Sequence, residues 1–90
     1  MVTDTSLEAY KEALLTINHK QNIVYNTIRY SYKPLCNEDI AKKLYWPINR
    51  VTPRVKELRD KGLLVDAGKR RGPQGRNVHY WRVKKTETLF

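Results

Sequence analysis

The hydrophobic period of this chain changes once, at Gly62, and that change limits the fold more than any other feature. Before the glycine, apolar residues recur at the three-and-four spacing of amphipathic helices; after it they alternate, as in a half-buried strand. The expected class is therefore α+β, mainly α, with the helices first and a hairpin last. Leu7, Tyr10, Leu14 and Ile17 predict an N-terminal helix over 6–16, introduced by Thr5 and Glu8 in capping-box relation. Asn18 with Gln21 repeats the capping signal. Val24, Ile28 and Tyr32, flanked by Ile23 and Tyr25, then predict a second helix to about 31. Pro34 ends it by pushing the residue before it out of the α region.

Leu35 stands alone after that break and reads as a short strand plugged into the core. Asn37 can cap a third helix over roughly 38–45, with Ile40, Ala41 and Leu44 inward and Glu38 and Asp39 at its positive end. Pro47 suits the first position of the next helix. There Ile48, Val51, Val55 and Leu58 form the inward stripe, and Gly62 is the left-handed stop. Pro53 lies inside this run and implies either a bend or a start delayed to Thr52-Pro53. Beyond Gly62, Leu63 to Val65 is β-prone. Val78 to Val83 alternates, with His79, Trp81 and Val83 on the inner face and Val78, Tyr80 and Arg82 on the other. Residues 68–76 are rich in Gly, Pro and Arg and read as the hairpin tip.

Ninety residues that are 40% apolar suit one domain, spanning 1–90. No run approaches the roughly 20 apolar residues of a membrane span, and the N-terminus lacks a signal-peptide core. Cys36 has no disulfide partner, so a reducing, cytoplasmic setting is expected. The net charge of +9 is unevenly spread. Residues 1–41 carry four basic and five acidic side chains, whereas 42–85 carry fourteen and three, a net of +11. A surface kept only for solubility mixes its signs, so a one-sided field implies a polyanionic partner. Anionic membranes call for an amphipathic basic helix, but here the cations lie on one helix and a Gly/Pro turn. Nucleic acid is favoured.

The helix-turn-helix at 38–61 and the hairpin at 63–83 together read as a winged helix-turn-helix: a three-helix core, an added N-terminal helix, a β-hairpin wing and a frayed tail at 84–90. A helix matches the width of the major groove, and its outward polar residues can meet base edges. The inward stripe of the last helix leaves Asn49, Arg50, Thr52 and Arg54 as readers, with Lys56 beside them. In the wing, Lys69, Arg70, Arg71 and Arg76, with Asn77, are expected on the sugar-phosphate chain or in the minor groove. Trp81 and Trp46 are expected in the core, and His79 half-buried beside Trp81. Glu57 and Asp60 are expected to pair with neighbouring Lys and Arg.

The run Asn37-Glu38-Asp39-Ile40-Ala41-Lys42-Lys43-Leu44, followed by Val55, Leu58, Lys61 and Gly62-Leu63-Leu64-Val65, resembles the winged-helix domains of MarR-type regulators. Trp46-Pro47-Ile48-Asn49-Arg50-Val51-Thr52-Pro53-Arg54-Val55, with Gly68-Lys69-Arg70-Arg71, is similar to small winged-helix proteins of bacteriophages and prophages. The resemblance covers about 5–83. It implies double-stranded DNA as partner, the last helix for recognition, 68–77 as wing, and a transcriptional or other phage DNA transaction. Two departures carry expectations. Cys36 occupies a usual Thr or Ser cap, passing that role to Asn37, and Tyr45 replaces a common Gly, implying a looser turn.

Nothing assembles a catalytic site, a metal site or a cofactor or small-molecule site. His19 and His79 are single and distant, and no Cys/His ligand set or phosphate-cradling loop occurs. The rival reading is a docking module in a larger assembly, since winged helices also serve that role. The N-terminal helix bears on it: its stripe either covers the core or pairs with a second copy as a homodimer.

Overall fold

The computed structural model describes residues 12–84. The predicted Thr5–Glu8 cap, the start of the N-terminal helix and most of the tail lie outside that range. Residues 12–15 are helical and Thr16 closes the turn. Asn18 and Gln21 then form the expected capping box: Asn18 Oδ1 accepts from the Gln21 amide at 2.8 Å, and Gln21 Oε1 from the Asn18 amide at 3.0 Å. They start helix α1 (His19–Arg29). The helix ends two residues earlier than its stripe suggests, because the Ser31 hydroxyl turns the chain locally by bonding both backbone groups of Lys33. Tyr32 is thereby left out of the stripe and is 94% exposed.

Leu35 is wholly buried and forms a one-residue bridge with Trp81, the predicted plug. Helix α2 follows (Asn37–Leu44), and its N-cap is Cys36, not Asn37. Asp39 supplies the reciprocal bond, accepting from the Cys36 amide at 3.4 Å. Asn37 is instead the first helical residue, its side chain taken up elsewhere. The C-terminus also departs from expectation. Tyr45 adopts the left-handed conformation (φ 57°, ψ 36°), and the amides of Tyr45 and Trp46 return to Lys42 and Ala41. This is the Schellman closure usually made by glycine, so the turn is tight although no glycine is present.

Helix α3 (Ile48–Asp60) begins directly after Pro47, which is the N-cap rather than the first helical residue. Pro53 neither delays nor divides it: it lies in the second turn, where one missing donor is tolerated. Val51, Val55 and Leu58 are buried, but Ile48 is 45% exposed, because the inward stripe begins one turn later with Val51. Gly62 (φ 79°) stops the helix as predicted, with its own amide on the Arg59 carbonyl and the Leu63 amide on Leu58.

Strands β1 (Leu64–Arg71) and β2 (Asn77–Val83) pair antiparallel. Lys69, Arg70 and Arg71, expected in the tip, belong to β1, and the turn is confined to 72–76. Polar side chains suffice there because both strand faces are open to solvent. The ladder contains one bulge between Asp66 and Lys69. Gly68 (φ 112°) supplies backbone freedom that a side chain would resist. Asp66 fixes the bulge by accepting from the Gly68 amide at 2.8 Å, while its other oxygen takes the Nδ1 of His79 at 2.8 Å.

The core comprises Val24, Tyr25, Ile28, Leu35, Ile40, Val51, Val55, Leu58, Leu63, Leu64 and Trp81, edged by Leu14, Ile17, Leu44, Trp46 and Val83. Every element contributes to it, and the result is a winged helix-turn-helix. His79, expected half-buried, is exposed, because its stacking on Trp81 (ring centroids 5.7 Å apart) occurs at the solvent edge.

Two measurements follow from these turns. Left-handed Tyr45 carries a Cβ penalty of roughly 1–2 kcal/mol, partly offset in glycine by chain entropy, so Tyr45→Gly should stabilise the fold by about 1 kcal/mol in urea unfolding. An unchanged or lower midpoint would mean that Tyr45 is not strained. The Gly68 amide, aided by His79, holds the Asp66 carboxyl below its ordinary 3.8. A depressed carboxyl stabilises the bulge above 3.8 and loses that contribution as pH falls through the lower folded-state value. The Gly68 amide resonance should accordingly titrate with a midpoint below 3.8, and Asp66→Asn should abolish the transition.

Candidate nucleic-acid interface

The fold brings α3 and the hairpin to neighbouring positions, and the cations follow. Asn49, Arg50, Thr52 and Lys56 are exposed on α3, as the inward stripe requires. Arg54 is only partly exposed. Its Nε lies 3.2 Å from Glu57 Oε1, close enough for an ion pair but misaligned for a hydrogen bond. The same Glu57 oxygen accepts from Gln21 Nε2 at 2.8 Å. Gln21 thus caps α1 with its oxygen and tethers α3 with its nitrogen. Glu57 pairs with an arginine as expected, and also links two helices.

Thr52 is exposed but not idle. Its hydroxyl donates to the Ile48 carbonyl at 3.1 Å and accepts from Asn37 Nδ2 at 3.4 Å. Asn37 Oδ1 in turn accepts the indole N–H of Trp81 at 2.9 Å. A polar chain therefore runs from the wing through the start of α2 to α3. This occupation of both ends of the Asn37 amide explains why it does not cap α2. Arg50 lies over the Trp46 ring, 5.5 Å from its centroid, so the half-buried tryptophan packs on the core and supports a cation.

The wing residues are more ordered than a loose tip would be. Lys69, Arg70, Arg71, Arg76 and Asn77 are all exposed. Arg71 Nε donates to the Gly75 carbonyl at 3.2 Å, and the Tyr80 hydroxyl to the Arg71 carbonyl at 3.1 Å. Arg70 lies 5.0 Å above the Tyr80 ring. Tyr80 thus stiffens the wing from one face. On the other, Lys69, Asn77 and His79 face Cys36, Asn37 and Glu38 across a groove of about 330 Å³. Arg59, absent from the predicted set, sits 4.6 Å over Trp81 and braces α3 against β2.

The sequence signals for Asn37, Gln21 and Arg59 were incomplete. Each lies in a recognisable local motif, but its partner is 36 or 44 residues away for Gln21 and Asn37. Burial pushes the Cys36 thiol above its usual 9.0, which keeps it in the unreactive protonated form at neutral pH. Among the described residues there is no group of His, Cys, Asp or Glu that could hold a metal ion. No described helix is long and apolar enough to cross a membrane.

No protein-family model matches the chain, and no curated protein matches it in sequence. The solved structure of a possible transcriptional regulator from Methanosarcina mazei Go1 is similar to it in fold, with a TM-score of 0.63. The superposition covers 93% of this chain and 69% of that one at 17% identity. The chain therefore shares the winged-helix fold of a regulator-like protein.

Proposed function

We propose that the chain binds double-stranded DNA with sequence selectivity, α3 entering the major groove and the hairpin lying on the backbone or in the minor groove. The observation that carries this reading is the position of the charge. Most of the cations behind the net +11 of residues 42–85 lie on α3, the last turn of α2 and the hairpin, and these are the parts that a winged helix offers to a duplex. Asn49, Arg50, Thr52 and Arg54 read bases, and Lys56, Lys69, Arg70, Arg71, Arg76 and Asn77 hold phosphates. The role is that of a regulator or another DNA-transaction protein rather than an enzyme. The resemblance to MarR-type and phage winged-helix proteins supports a cytoplasmic setting in a bacterial or phage-infected cell. Pairing of two copies through the N-terminal helix is favoured by Leu15, which is 85% exposed beside inward-facing Ala13 and Leu14.

Binding to random duplex should weaken with salt at a log–log slope of about −4.5 or steeper, corresponding to roughly five neutralised phosphates. Absence of binding at low salt would sink the reading and promote a docking role instead. Arg54→Ala should relax preference at one base pair by about 1–3 kcal/mol, whereas Arg71→Ala should weaken all sequences alike. Uniform losses from both would remove base reading from α3. Sites selected from a random pool should be palindromic if two copies bind, with half-sites about one helical turn apart; a single asymmetric site would exclude the pair.

A further inference from the structure

Tyr45 and Ile48 flank Trp46-Pro47 in the helix-turn-helix, and neither belongs to the polar reading set. Tyr45 is 95% exposed. Its backbone is left-handed, a conformation that glycine would adopt without strain, so the turn itself does not call for a tyrosine. Strain of this kind is retained where the side chain or the conformation is used. Ile48 is the first residue of α3, half-exposed, and the core begins only with Val51. The start of a recognition helix is the part that reaches base edges.

The two exposed side chains thus stand at the turn and at the first residue of α3, next in the chain to Asn49 and Arg50, at the leading end of the proposed interface. Cations are their neighbours along the chain: Arg50, which lies over Trp46, and Lys42 and Lys43 in the last turn of α2. That setting suits a duplex rather than an apolar protein partner. Major-groove edges are otherwise donors and acceptors, and their one apolar feature is the 5-methyl group of thymine. Resting on the DNA-binding reading above, we propose that Ile48 and Tyr45 form an apolar contact that selects a thymine through its methyl group.

The test uses the duplex selected by the intact chain, with each thymine replaced singly by deoxyuridine, a change that removes only the methyl group. At one position the wild type should bind roughly fourfold more weakly, the equivalent of one buried methyl. Ile48→Ala and Tyr45→Gly should bind the parent duplex more weakly and be indifferent to that replacement. Tyr45→Gly should do so while unfolding at higher urea, which separates lost contact from lost fold. The inference is overturned if the wild type binds but ignores every replacement, or if the selected site holds no thymine. It is equally overturned if both variants respond to deoxyuridine as the wild type does. A wild type that binds no duplex at all removes the DNA-binding reading itself, and this inference with it.

Discussion

A two-stranded hairpin has too little buried surface to stand alone in water, so this wing depends on how it is fastened to the helices. The fastening is Trp81. Its backbone exchanges both bonds with Leu35, at 2.8 and 3.1 Å, which makes Leu35 a third strand one residue long. Its indole is buried in the helical core, with the N–H delivered to Asn37 and the face covered by Arg59. An indole of this size contributes apolar burial on the order of a few kcal/mol, and its N–H is not left unsatisfied. Because Asn37 and Arg59 belong to α2 and α3, the same residue that anchors the wing also fixes it relative to the helix-turn-helix.

Helix α3 is held by polar contacts at both ends of its exposed face. Near its start Asn37 reaches Thr52; further along, Gln21 reaches Glu57, which faces Arg54. Each bond adds only about 1 kcal/mol of net stability, so their effect lies more in orientation than in energy. The apolar stripe of α3 settles which side faces inward, yet apolar packing alone would tolerate small rotations. The flanking bonds select one of them. Arg54 consequently presents a restrained guanidinium, whereas Asn49 and Lys56 are exposed on the helix surface.

Much of this was legible in the chain because helix stripes, caps and the change of period are local signals. The Asn18–Gln21 box, the Gly62 stop, the Leu35 plug and the buried Trp81 all follow from neighbours within a few residues. What escaped was set by distant partners or by compensation. Asn37 looks like a cap until its amide is seen to be shared between Trp81 and Thr52. Tyr45 looks like a looser turn because the bonds from its own and the next amide, which enforce tightness, leave no mark on composition. Ile48 fits the apolar period but falls where the period has no core to meet. The cationic residues of β1 look like part of the tip because strand pairing with β2, not side-chain character, makes them extended.

The bulge at Ala67-Gly68 sorts charge as well as bending a strand. Side chains directly opposite each other in an antiparallel ladder share a face, so Asp66 lies on the side of Trp81 and Lys69 on the side of His79. Trp81 and His79 are two apart and share one face, yet Asp66 and Lys69 are three apart. The extra residue therefore reverses the alternation of everything beyond it. Lys69 and Arg71 fall on the helix-facing side, and Arg70 joins Tyr80 on the other, giving a blade with cations on both flanks. Deleting one residue at this point would leave Lys69 opposite His79 and keep both flanks, whereas pairing the full-length strand without the bulge would exchange them, turning Arg70 toward the helices and Lys69 and Arg71 away from them.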